Sequence, residues 1–139
     1  MIVLDTNVLS ELMKPAPAAK VVHWVAAQPT ARLFTTTITQ AEILYGLELT
    51  PRGKRRAALE SAVAAIFEED FAGRVLPFDG DAARVFPRIA GSRRAQGRPI
   101  TQFDAQIAAI ARSRGAVLAT RNTGDFEHCG VALLNPWGR

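Results

Sequence analysis

Four acids of this chain, Asp5, Glu42, Asp104 and Asp125, each stand at or just inside a predicted helix start, and the first directly follows the apolar run Ile2-Val3-Leu4. An apolar strand that ends in Asp5-Thr6-Asn7 carries its carboxylate to the edge of a core. There the group is held in place and only partly hydrated, and such groups together are what a divalent cation requires. Each acid also has an ordinary reading. Thr39-x-x-Glu42 and Thr101-x-x-Asp104 match the capping-box pattern or its acidic variant, and Asp5 or Asp125 could cap a following turn. For any one of them alone, capping is the better reading. Their joint arrangement points the other way, because three of only six aspartates fall in the set, beside Thr and Asn side chains able to hydrogen-bond a carboxylate or a metal-bound water. If the four converge, two carboxylates ~4 Å apart repel by about 4 kcal/mol at an effective dielectric of about 20, so the cluster must bind a cation or hold a proton. All-oxygen ligands select Mg²⁺ or Mn²⁺ and leave positions for water and a phosphate oxygen. A centre of that kind can activate water for in-line attack on a phosphodiester and neutralise the leaving oxygen.

The elements that must position these acids alternate. Short β-prone runs at Ile2 to Leu4, Leu33 to Thr37, Val75 to Phe78, Val117 to Ala119 and Val131 to Leu134 are separated by stretches with helical spacing. The helices read as Asn7 to Met13, Ala18 to Gln28, Gln40 to Leu49, Lys54 to Asp70, Asp81 to Arg94 and Gln102 to Arg114, bounded by Pro, Gly, Ser or Thr. Alternation of this kind predicts an α/β layer sandwich around a mostly parallel five-stranded sheet. In such sheets ligands bind beyond the carboxyl ends of the strands. Asp5 lies at one such end; Thr120, Asn122 and Asp125 follow another; Glu42 follows a third. Asp104 joins them if the helix beginning near Thr101 docks its N-terminus there. Gly91 to Pro99 reads as a mobile cationic loop.

At 139 residues and 48% hydrophobic content, the chain predicts one domain, residues 1–139, burying roughly 68% of the surface its unfolded form exposes. The opening apolar stretch is too short for a signal-peptide core, and no run approaches the ~20 residues of a membrane span, which leads to the expectation of a cytoplasmic protein with no membrane partner. The lone Cys129, with His23 and His128, cannot build a structural zinc site, so it is read as packing. Net charge is +4 and Arg supplies 14 of 17 basic residues, a choice suited to phosphate contact. Solvated helix faces explain the clusters at 51–56 and 88–98 equally well, so charge permits a nucleic-acid partner without selecting one.

With those residues in hand, the chain resembles PIN-domain nucleases of the VapC type, nearest their FitB-like branch. The resemblance spans nearly the whole length. It rests on Val3-Leu4-Asp5-Thr6-Asn7, on Glu42 with Gly46, on the run from Asp104 to Ala111, and on the run from Leu118 to Phe126. It implies a PIN-like three-layer fold, Mg²⁺-dependent (or Mn²⁺-dependent) cleavage of RNA, and the role of toxin in a type II toxin-antitoxin pair. Asp5, Glu42, Asp104 and Asp125 fall on the family's metal-binding acids, and Thr6 and Thr120 on hydroxyls that order water or carboxylates. Asn122 stands where some relatives carry an acid, so Asp125 either touches metal directly or acts through water with Asn122. The implied partners are RNA, a cognate antitoxin that brings operator DNA, and a second copy of the chain, with Trp24 and Leu47 as candidate dimer contacts set against ordinary core packing.

Two other classes with this layout fit the residues less well. A phosphoreceiver would share the layout, with Asp79 as acceptor, but the last lysine is Lys54 and Asp5 has no acidic neighbour; a haloacid-dehalogenase-like phosphatase would need an aspartate at Asn7. The functional rival is a weakly active interaction module that represses its own operon together with a DNA-binding antitoxin.

Overall fold

The computed structural model describes residues 1–138. Its elements run β1 (Ile2–Leu4), α1 (Thr6–Leu12), α2 (Ala19–Ala27), β2 (Leu33–Thr36), α3 (Thr37–Glu48), α4 (Lys54–Ala65), β3 (Val75–Leu76), α5 (Gly80–Ala95), α6 (Gln102–Ser113), β4 (Val117–Ala119) and β5 (Ala132–Leu134). The sheet has the order β3-β2-β1-β4-β5, and every pairing is parallel rather than mostly so. β1 sits in the middle, with Ile2 opposite Leu33 on one side and Val117 on the other.

A central parallel strand is buried on both faces, and its side chains alternate between them. Val3 enters the core formed with Ile89, Ile107, Ile110, Leu118 and Phe126. Ile2 and Leu4 enter the opposite one, with Val8, Leu9, Val21, Leu33 and Ile43. Those two cores join the sheet to its outer layers, α5 and α6 on one face and α1 to α4 on the other. α6 can lie deep in the first because residues 107–111 read Ile-Ala-Ala-Ile-Ala and all are buried, the alanines letting α5 approach closely. Thr101 caps the start of α6 by accepting from the Asp104 amide at 3.2 Å, and Gly115, at φ +63°, ends it in the left-handed region that favours glycine. No helix among the described residues is long and apolar enough to cross a membrane.

The predicted elements are all present, with β1 and β4 at the expected residues. Three readings change. The helix expected from Gln40 begins at Thr37, with Thr36 as its cap accepting from the Thr39 amide at 3.0 Å, so the Thr39/Glu42 capping box does not form. The stretch expected as one helix to Asp70 widens into a π-helical turn at Ile66–Asp70. Gly91 to Pro99 is not a loop throughout: α5 continues through Ala95, and Arg93 is buried. Trp24 and Leu47 are half-buried against the core shared by Leu4 and Ile43, in line with packing, and Cys129 is fully buried. Asp79 caps α5 through the Ala82 amide at 3.0 Å.

Candidate active site

The strand order reverses at β1, whose neighbours β2 and β4 lead away on opposite sides, and a crevice opens at such a switch point beyond the strand ends. Asp5 stands there. Its amide extends the ladder to the Ala119 carbonyl at 2.9 Å, and its side chain caps α1 by accepting from the Thr6 amide at 2.8 Å. The other carboxylate oxygen accepts from Thr120 Oγ1 at 2.8 Å and from Asn7 Nδ2 at 3.3 Å. Thr120 is itself saturated: its hydroxyl donates to Asp5 and accepts from Asn7 Nδ2 at 3.2 Å and from the Asn122 amide at 3.1 Å. Asp5 thus has three of its roughly four acceptor positions filled by neutral donors, and one left over.

Glu42 approaches from the second turn of α3. Thr6 Oγ1 donates to Glu42 Oε1 at 2.9 Å, and having spent its only proton it must accept from the Thr39 hydroxyl 3.0 Å away. Thr39, predicted as a cap, is instead a fully buried support for this chain of hydroxyls. Asp104, in the first turn of α6, is half-buried. Asp104 and Asp125 face each other across a cleft of about 120 Å³ lined also by Arg93, Ile100 and Thr101.

Electrostatics binds three of the four acids into one unit. Burial, with added repulsion from Asp104 and Glu42, pushes the Asp5 carboxyl up to about 6 against the lowering effect of Thr120 and the Thr6 amide. Burial, then Asp104, raises Glu42 despite the Thr6 hydrogen bond. Burial, with Asp125 adding to it, raises Asp104, while Thr101 and Arg93 pull it down. Asp125 is exposed and sits on the 3₁₀ turn Thr123–Phe126. Asn122 joins through its backbone amide.

Two residues were missed by sequence reasoning besides Thr39. Asn7 ties the end of β1 to the end of β4, bonding Asp5 and Thr120 through Nδ2 and accepting from the Arg121 amide at 3.2 Å; the Asp-Thr-Asn run was the available signal. Arg93 donates to the carbonyls of Arg98 (2.7 Å), Asp125 (2.8 Å) and Glu127 (3.1 Å), fixing the turn that carries Asp125. Nothing local distinguishes it from the exposed arginines around it.

The donor set is all oxygen. Among the described residues no three acidic, thiol or imidazole groups converge tightly enough to enclose an ion by themselves. That geometry is unsuited to a closed cage, but it suits Mg²⁺, which keeps several waters and takes only one or two carboxylates directly.

A PIN-domain family model matches residues 2–131. The chain belongs to the PIN-domain family. The VapC ribonuclease Y4jK of Sinorhizobium fredii is 42% identical over 99% of this chain and 98% of its own length. Toxin FitB of Neisseria gonorrhoeae is 37% identical, covering 99% of both chains. The solved structure of FitAB bound to a DNA fragment superposes with a TM-score of 0.93 at 37% identity, over 100% of this chain and 97% of the other. These likenesses place this PIN domain among the VapC and FitB proteins of toxin-antitoxin systems. They establish its PIN-like α/β fold as well, with the parallel sheet that sets Asp5 at its switch point.

Proposed function

We propose that this PIN domain is a metal-dependent endoribonuclease and the toxin of a type II toxin-antitoxin pair, with Asp5, Glu42, Asp104 and Asp125 as its metal-binding acids. The observation that carries the reading is that burial first, and neighbouring like charge second, raises Asp5, Glu42 and Asp104 together: among the described residues none of the three is in an ion pair, so each ionises against its surroundings. A bound divalent cation relieves that penalty.

Asp5 is the best-fixed ligand, since Asn7 and Thr120 hold its rotamer while one acceptor position stays open. Mg²⁺ or Mn²⁺ held by these acids would supply Lewis acidity and make water a better nucleophile. Glu42 has one oxygen committed to Thr6, which fixes its rotamer, and the other free to reach the metal. Asp104 and Asp125 line the adjoining cleft, with Asp125 touching the metal directly or acting through water with Asn122. RNA is the substrate, as the name of the VapC ribonuclease relative supports. An antitoxin would cover the acids with an inserted Arg or Lys that replaces the metal's charge, and a dimer of the chain would reach operator DNA only through that antitoxin, as the FitAB complex on DNA suggests. The same complex favours a second reading, in which autorepression is the main role and cleavage is weak.

The test is direct. The purified chain, freed of partner, should cleave single-stranded or looped RNA with Mg²⁺ or Mn²⁺ and stop in EDTA. Cleavage that persists in EDTA would sink the metal reading; no cleavage under any metal, with operator binding intact in complex, would favour the repressor.

A further inference from the structure

We propose that Tyr45 and Phe103 form a stacking slot that holds one unpaired nucleobase of the RNA strand next to the acids. The inference rests on the nuclease reading above and says how the substrate is gripped. Tyr45 lies three residues beyond Glu42 and so on the same face of α3, while Phe103 immediately precedes Asp104 at the start of α6. Glu42 therefore shares its surroundings with two rings, Tyr45 from its own helix and Phe103 from the start of α6. Ala41, Glu42, Tyr45 and Phe103 line one cleft of about 430 Å³, a size within the ~300–1,000 Å³ range of small-ligand sites.

Both rings are left open: Tyr45 is 66% exposed and Phe103 54%, although aromatic rings ordinarily bury most of their area. Neither stacks on another ring in the described residues, where the aromatic pair is Phe78 with Phe86. Ala41 adds no bulk to fill the gap.

Three occupants compete for such a cleft: a base, a second copy of the chain, and an apolar segment of another protein. Leu44, exposed on the same helix, and Leu49, exposed just past its end, give the second copy its case. The wall decides for the base. An apolar side chain seated there would strip water from Glu42 and return no hydrogen bond, at a cost that grows with burial. A nucleobase offers a π face to each ring and N–H donors at its edge to the carboxylate, and stacking of this kind tolerates any sequence. The net charge of +4 favours the strand's approach.

The experiment compares Tyr45→Ala, Phe103→Ala, Tyr45→Leu, Tyr45→Trp and Phe103→Tyr in the full chain. Binding of a labelled single-stranded oligoribonucleotide is followed by fluorescence anisotropy in Ca²⁺, cleavage kinetics in Mg²⁺, and oligomeric state by light scattering. The Ala and Leu variants should weaken binding by about 5- to 150-fold, the span of base-aromatic stacking. KM should rise with little change in kcat, while the Trp and Tyr variants keep the affinity of the native chain. An oligonucleotide with one abasic position should lose the same factor and then be indifferent to Tyr45→Ala. Binding unchanged in the Ala variants overturns the slot, as does Leu restoring affinity, or a loss of binding that tracks conversion of dimer to monomer, which assigns the patch to a subunit interface. Absence of metal-dependent cleavage with aromatic-dependent binding retained would instead remove the nuclease reading and leave the slot standing.

Discussion

Two carboxylates in this molecule have equally little exposed surface, Asp5 at 5% and Glu11 at 6%, yet burial weighs far more on Asp5 and the two titrate in opposite directions. Glu11 closes the corner between α1 and α2, accepting from the Ala18 amide at 2.8 Å and from Lys14 Nζ at 2.9 Å. Those contacts, the backbone amide first, hold its carboxyl below the usual range. Asp5 accepts from three groups to the two of Glu11, but its donors are all neutral, and its charged neighbours within reach are Asp104 and Glu42. Burial alone does not mark a functional acid. What marks it is burial whose charge the protein leaves uncompensated, and the α1–α2 corner supplies the control within the same chain.

The comparison is sharpened most by activity. Asp5→Asn should cut metal-dependent RNA cleavage by about two orders of magnitude or more, because a ligand charge disappears while the hydrogen-bonded shape survives. Glu11→Gln should leave cleavage unchanged and lower Tm. Equal loss in both, measured as kcat/KM, would erase the distinction.

Stability against pH gives the next largest effect. A raised acid in the folded state binds more protons than in the unfolded chain between the two pKa values, so stability falls as pH climbs through that interval. For Asp5, moving from 3.8 to about 6, the penalty reaches about 3 kcal/mol above pH 6 in the metal-free protein. Glu11 acts with the opposite sign: its contribution is present above its unfolded value of 4.5 and is lost as pH falls through the lower folded one. Denaturant melts in EDTA from pH 4 to 8 should show Asp5→Asn reducing the downward slope, the remainder belonging to Glu42 and Asp104, with Mg²⁺ reducing it for the native protein. A slope unaffected by the substitution would mean that Asp5 is not the strained group.

Arg93 tests whether compensation matters away from ion pairs. Arg93→Met keeps the aliphatic length but strands the carbonyls of Arg98, Asp125 and Glu127, and should cost roughly 2–3 kcal/mol, moderated because those residues lie near water that can partly replace the guanidinium. Cleavage should fall as well, since the turn bearing Asp125 loosens. The smallest expected shift is that of Asp104→Asn, which relieves like charge in the metal-free protein and should stabilise it by about 1 kcal/mol while reducing the Mg²⁺-induced gain. A variant less stable in EDTA with the full Mg²⁺ increment would show Asp104 to be only a helix-start acid.

Sequence alone determined the alternation of strands and helices, the ends of β1 and β4, and the placing of Asp5 and Thr120 just beyond them, because periodicity and an apolar run stopped by an acid are local properties. It also found Thr101 as a cap. It misassigned Thr39, since Thr36 and Thr39 both fit a helix start and only docking of α3 against α1 turns the Thr39 hydroxyl toward Thr6. It took the Arg93 segment for a mobile loop, because an arginine beside Gly91 looks the same whether water or three carbonyls surround it. Nor did composition separate Glu11 from Asp5. The sign of a buried carboxylate's shift depends on which charges the chain brings from far along its length, and that is set only when residues 5, 42 and 104 meet at the switch point of the sheet.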